Sequence, residues 1–129
     1  MQIDHIGYVV KKIDRAILDF KKLGYCFGEV VDDTDRNVMI AFGEKDRYRI
    51  ELVAPKGEGE SPVDSYLTKI GPMPYHICYK SAEFDKDLEQ LKSEGFKEFI
   101  KPQKAVAFGY KRVEFLMKLS IGMIEIVEE

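Results

Sequence analysis

The sequence predicts an α+β fold, two β-α-β-β-β modules in tandem within one chain of 129 residues. Three observations predict it. The first is an internal repeat, which decides the fold wherever it occurs. His5-Ile6-Gly7-Tyr8 returns as His76-Ile77-Cys78-Tyr79, 71 positions on, and Leu23-Gly24-Tyr25 is answered by Glu94-Gly95-Phe96 at the same spacing. Ile50-Glu51-Leu52-Val53 returns as Ile124-Glu125-Ile126-Val127 after 74 positions. The second observation is that the apolar period changes from strand to helix and back in the same order in each half. The third is length. At roughly 100–200 residues per domain, the chain is one domain or two very small ones. The repeat resolves this into a single domain of residues 1–129, with modules of about 1–55 and 74–129 and a linker of about 56–73.

Each element has its own justification. Ile3–Val10 is apolar and β-branched and reads as a strand. Asp14 is a candidate N-cap for the next segment, where Ile13, Ala16, Ile17, Phe20 and Leu23 recur at helical spacing and Gly24 supplies a stop. Phe27–Val31, Asn37–Phe42 and Arg49–Ala54 read as three further strands, with Gly43–Asp46 as the hairpin turn between the last two. Lys56–Tyr66 carries acidic residues, Gly57, Gly59 and Pro62 and reads as a solvated linker, with a short helix around Val63–Lys69. In the second module Tyr75–Tyr79 is the first strand. Asp85–Glu94 is the helix, with Phe84, Leu88 and Leu91 on one stripe. Phe96–Lys101, Val113–Leu119 and Met123–Val127 complete the set, for eight strands in all.

Composition excludes several classes of function. Hydrophobic residues make up 45% and charged residues 33%, which is globular rather than disordered. Lys plus Arg is 20 against 23 Asp plus Glu, a net charge of −3, which argues against a nucleic-acid binder dominated by phosphate contacts. No apolar run reaches the roughly 18 residues of a membrane span. Met1–Ile3 leads directly into patterned sequence, so no signal peptide is expected. Cys26 and Cys78 are too few and too far apart for a disulfide framework or a cysteine-rich zinc site. A cytoplasmic location is the expectation.

The strand period places the two histidines. Side chains alternate faces along a strand. Ile6, Tyr8 and Val10 share the face that the helix needs, as do Ile50 and Leu52, so His5 and Glu51 fall on the other. In the second module Ile77, Tyr79, Ile124 and Ile126 oppose His76 and Glu125 in the same way. A glutamate inside Ile-Glu-Leu-Val is costly to bury unless it is paired or bound to a metal. If the two sheets lie side by side, His5, Glu51, His76 and Glu125 supply two imidazole nitrogens and two carboxylate oxygens. That set suits one divalent ion such as zinc, nickel, cobalt, iron or manganese, with positions left open for water or substrate. Arg49, Lys80 and Arg112 are candidates to meet a carboxylate or phosphate of a substrate, against the plainer reading of solvated surface cations. Tyr110, after Phe108-Gly109, is a candidate at the mouth of the site. Cys78 lies on the metal face and reads as strand packing.

These residues carry a family resemblance. His5-Ile6-Gly7-Tyr8-Val9-Val10, Ile50-Glu51-Leu52, Tyr75-His76-Ile77 and Gly122-Met123-Ile124-Glu125-Ile126 resemble the vicinal oxygen chelate superfamily, also called the glyoxalase/bleomycin resistance/dioxygenase superfamily. The resemblance spans nearly the whole chain. It implies that the eight strands form a cupped mixed sheet around a divalent metal, and that substrates are handled through enediolate-like chemistry. Among its members, Asp35-Arg36-Asn37-Val38 and Val113-Glu114-Phe115-Leu116 look most similar to the methylmalonyl-CoA epimerase-like group. The chain departs from that group at Met117-Lys118-Leu119-Ser120, where a His-Pro-Lys-like turn is usual. The resemblance implies proton abstraction α to a thioester-like carbonyl, with Glu125 as base and Glu51 or Asp35 as the second base. It also implies an acyl-CoA or thiol-adduct substrate and a homodimer. Lactoylglutathione lyase chemistry, and small-molecule sequestration of the antibiotic-binding kind, are the alternatives it leaves open.

Overall fold

A computed structural model describes all residues, Met1–Glu129. The fold is α+β: nine strands in a mixed, open sheet with three helices. The first module runs β1 (Gln2–Val9), α1 (Ile13–Lys22), β2 (Cys26–Phe27), β3 (Val31–Asp33), β4 (Val38–Lys45) and β5 (Tyr48–Pro55), followed by a short α2 (Asp64–Lys69). The second runs β6 (Met73–Ser81), α3 (Phe84–Ser93), β7 (Lys97–Ala105), a single 3₁₀ turn at Val106–Phe108, β8 (Lys111–Lys118) and β9 (Gly122–Glu128). Contacts divide the chain into two units, His5–Tyr75 and His76–Glu129, the latter joined by Met1–Asp4.

Pairing follows the same plan in both. In the first unit β1 pairs parallel with β5, and β5 pairs antiparallel with β4. In the second, β6 pairs parallel with β9, β9 antiparallel with β8, and β8 antiparallel with β7. The two long helices, α1 and α3, each cover one apolar face. In the first unit Val10, Ile13, Ala41, Ile50, Leu52 and Ala54 form the core, closed by the edge-on rings of Tyr8, Phe20 and Tyr25. In the second, Phe84, Leu88, Leu116, Ile124 and Ile126 do so. Both helices end on a glycine at left-handed φ, Gly24 at 100° and Gly95 at 95°. There the amides of Tyr25 and Phe96 reach back to the carbonyls of Phe20 and Leu91 and close the last turn.

The structure corrects the sequence reading at five places. The expected strand Phe27–Val31 is two short strands, which raises the count from eight to nine. Phe27 pairs with Gly43 and Val31 with Ile40, so three residues, Gly28, Glu29 and Val30, oppose two on β4. One extra residue breaks the ladder. The hairpin turn is Asp46-Arg47 rather than Gly43–Asp46, with Lys45 paired to Tyr48 and both turn residues at positive φ, 51° and 70°. Gly43 stays in the strand for a different reason: a Cβ there would come within 2.5 Å of the Phe27 ring. Asp14 lies inside the first turn of α1, whose N-cap is Lys12, so it favours the helix through the dipole rather than as a cap. Leu23, at the C-cap of α1, is exposed rather than on the buried stripe. Ile6 and Ile77, expected beneath the helices, are 37% and 39% exposed, because α1 lies over β4 and β5 and α3 over β9.

Candidate metal centre

In the first unit the parallel register sets Gly7 beside Glu51. A residue without a side chain there leaves room for the glutamate. His5 Nε2 lies 3.6 Å from Glu51 Oε1. Phe42 stands opposite Glu51 on β4 and turns its ring edge-on to the His5 imidazole, with 5.5 Å between centroids. The Arg49 guanidinium lies 4.0 Å from the centre of the same Phe42 ring. Arg49 and Glu51 are two apart on β5 and so share a face.

The second unit repeats this arrangement. Cys78, small and fully buried, stands beside Glu125 in the parallel register. His76 Nε2 lies 3.1 Å from Glu125 Oε2. Phe115 opposes Glu125 on β8 and meets the His76 ring edge-on at 5.2 Å and 90°. Neither histidine nor either glutamate is more than 4% exposed. A buried imidazole nitrogen beside a buried carboxylate oxygen is a donor pair that fits a divalent cation in chemistry, and each unit carries one such pair.

The other candidates lie elsewhere. Asp35 is exposed in the turn between β3 and β4. Its neighbour Asp33 is buried instead and accepts hydrogen bonds from the Arg36 amide and guanidinium. The Arg112 guanidinium donates to both Asp85 and Glu128 and lies over the Phe84 ring. Those two carboxylates raise its pKa further, and its side chain serves to tie α3 to β8 and β9. Lys80 pairs with Asp4 at 3.2 Å. Tyr110 is exposed at left-handed φ after the 3₁₀ turn. Cys78 packs with Ala105, Val113 and Val127. Sequence reading passed over Phe42 and Phe115, although they are 73 positions apart and each stands opposite its module's glutamate.

The sequence pattern of the Glyoxalase/Bleomycin resistance protein/Dioxygenase superfamily matches residues 4–115. The chain belongs to this superfamily. The match takes in His5, Glu51 and His76 and ends ten residues before Glu125. A superfamily relative, the ethylmalonyl-CoA/methylmalonyl-CoA epimerase of Cereibacter sphaeroides, is 30% identical over 97 residues, covering 73% of this chain and 71% of that protein. Among solved structures, a hypothetical protein from Bacillus halodurans superposes with a TM-score of 0.87 at 25% identity, covering 99% of this chain and 94% of that one. A methylmalonyl-CoA epimerase from Mycobacterium tuberculosis superposes at a TM-score of 0.85 with 24% identity, covering 98% of this chain and 87% of that one, and so has the same fold.

Proposed function

We propose that the His5–Glu51 and His76–Glu125 pairs together hold one divalent metal ion, and that residues 1–129 act as one metal-dependent epimerase on an acyl-CoA thioester. The observation that carries the proposal is the duplication itself: the same buried His–Glu–Phe set, in the same strand register, once in each unit. The name of the Cereibacter sphaeroides relative supports the choice of reaction.

The chemistry requires a base for a weak carbon acid and a counter-charge for the oxyanion that forms. A bound divalent ion would supply Lewis-acid stabilisation of the thioester oxygen. In the proposal, Glu125 as carboxylate takes the proton from the carbon α to the thioester carbonyl, and a second carboxyl group, protonated at the start, gives its proton to the opposite face and is left as carboxylate, which inverts that carbon. Glu51, buried and beside His5, suits the second role better than Asp35, which is exposed on its turn. Arg49, anchored on the Phe42 ring, is the cation assigned to the acyl carboxylate.

Glu125→Gln is expected to keep much of the metal while lowering kcat with methylmalonyl-CoA by roughly 10²- to 10⁴-fold. Full turnover by that variant would refute the base assignment. His5→Ala and His76→Ala should each lose metal by elemental analysis, and unchanged metal content would refute the shared ion. A wild-type protein that converts a methylglyoxal–thiol hemithioacetal and leaves methylmalonyl-CoA untouched would transfer the assignment to lactoylglutathione lyase chemistry.

A further inference from the structure

The two half-sites keep the same Phe–Glu cross-strand pair and change chemical character at the next pair along the strands. On the first, Glu44 of β4 faces Arg49 of β5. The equivalent partners in the second unit, 73 and 74 positions on, are Met117 of β8 and Met123 of β9. Two side chains of opposite charge in one module are replaced by two thioethers in the other. Strand alternation puts both methionines on the face that carries the chemistry. Met117 is two residues from Phe115, whose ring meets His76, and Met123 is two residues from Glu125. Met123 is 9% exposed and Met117 half-buried, so together they make a wall that stays partly open.

Between Val113 and Met117 on β8, and between Met123 and Val127 on β9, Glu125 is the one charged side chain on that face. Of the nearby cations, Lys97 of β7 is paired with Met117 and stands exposed at the outer edge of this face, while the others are engaged on the other side of the sheet or at its rim. Lys118 donates to the Glu94 carbonyl and lies over Phe96, Lys92 is paired with Glu98 and Glu114, and Arg112 with Asp85 and Glu128. A carboxylate placed against Met123, on the side away from Lys97, would lose its water without gaining a cation from β8 or β9. A short alkyl group would gain, because methionine is flexible and polarizable and adapts to small apolar shapes.

We propose that Met117 and Met123 form the subsite for the α-alkyl substituent of the acyl thioester, beside Glu125. The inference rests on the thioester reading of function and names the group that this half of the site accepts. The carboxylate of the same acyl group then belongs with Arg49.

The test is isothermal titration calorimetry of the metal-loaded protein with methyl-, ethyl- and propylmalonyl-CoA. Affinity should rise roughly fourfold per added methylene, as expected when each leaves water for an apolar wall. The double variant Met117→Glu/Met123→Arg, which copies the first module's pair, should flatten that series. Met123→Leu, apolar and close in volume, should preserve it and guards against a folding artefact. Thioester binding with no dependence on alkyl length in the wild type, or the same dependence in the double variant, overturns the subsite alone. Absence of binding by any of the three thioesters overturns the thioester reading and the subsite with it.

Discussion

At Arg47 the chain holds a long side chain at φ 70°, after Asp46 at 51°, in a two-residue hairpin turn. Both φ values are those of a type I′ turn, in which Asn-Gly and Asp-Gly are the favoured pairs. A left-handed conformation costs an L-residue roughly 1–2 kcal/mol, and glycine avoids most of it. Arg47→Gly is therefore expected to stabilise the fold by about 1 kcal/mol, read as a higher denaturant midpoint at unchanged slope. The same residue shows why the turn was misplaced from sequence. Asp-Arg carries no glycine, whereas Gly43 stood nearby and drew the assignment, although its role is to clear the Phe27 ring. The four buried His and Glu side chains were easier to place on one face because they follow a strict rule. A period of two, applied to His5, Glu51, His76 and Glu125, separates them from the helix-facing isoleucines without any knowledge of contacts. Arg112 was not legible in that way, since its partners Asp85 and Glu128 are 27 and 16 residues away.

At the scale of elements, α3 is held on the sheet by more than its apolar stripe. Lys92 on the helix lies 2.6 Å from Glu114 of β8 and 2.8 Å from Glu98 of β7. Glu114 is fully buried on the helix-facing side of its strand. Burial pushes its carboxyl above the usual glutamate range, against the pull of Lys92 and with a further push from the Glu98 hydrogen bond. Hydrogen bonds from Lys92, then from Glu114, hold Glu98 below that range. A carboxyl whose pKa is raised by folding binds more protons in the folded state, so its contribution to stability falls as pH climbs from the ordinary glutamate value through the raised one. Glu114→Gln removes this term while its amide can still donate to Glu98. The melting temperature of the variant relative to wild type should rise with pH across that window. A difference that is flat from pH 4 to 8 would show that Glu114 does not titrate there. Sequence reading found both long helices because their apolar stripes and glycine stops are local signals. It joined β2 to β3 because the extra residue at Gly28–Val30 shows only in the pairing with β4.

For the molecule as a whole, the proposed ion would be part of the stability as well as the chemistry, because it binds only where the donors are folded together. At a free metal concentration 100-fold above Kd, such binding adds about 2.7 kcal/mol. Chelation should therefore lower the melting temperature by on the order of 10 °C in a chain of this size, and adding back a divalent cation should restore it. An unchanged melting curve, with metal content measured before and after, would count against a resident ion. The repeat is what made this scale legible. Two histidines in the chain, one per module at matched positions, say more than either would alone.

The grouping of Met1–Asp4 with His76–Glu129 has a consequence for how the protein is made. As the chain leaves the ribosome, His5–Tyr75 emerges with all of its own partners and can fold while synthesis continues. Met1–Asp4 emerge earlier still but must wait, because Asp4 pairs with Lys80, and Lys80 on β6 is itself paired with Val127 on β9, which is translated after the whole of His5–Tyr75. Met1–Asp4 are thus made before His5–Tyr75 but placed after it.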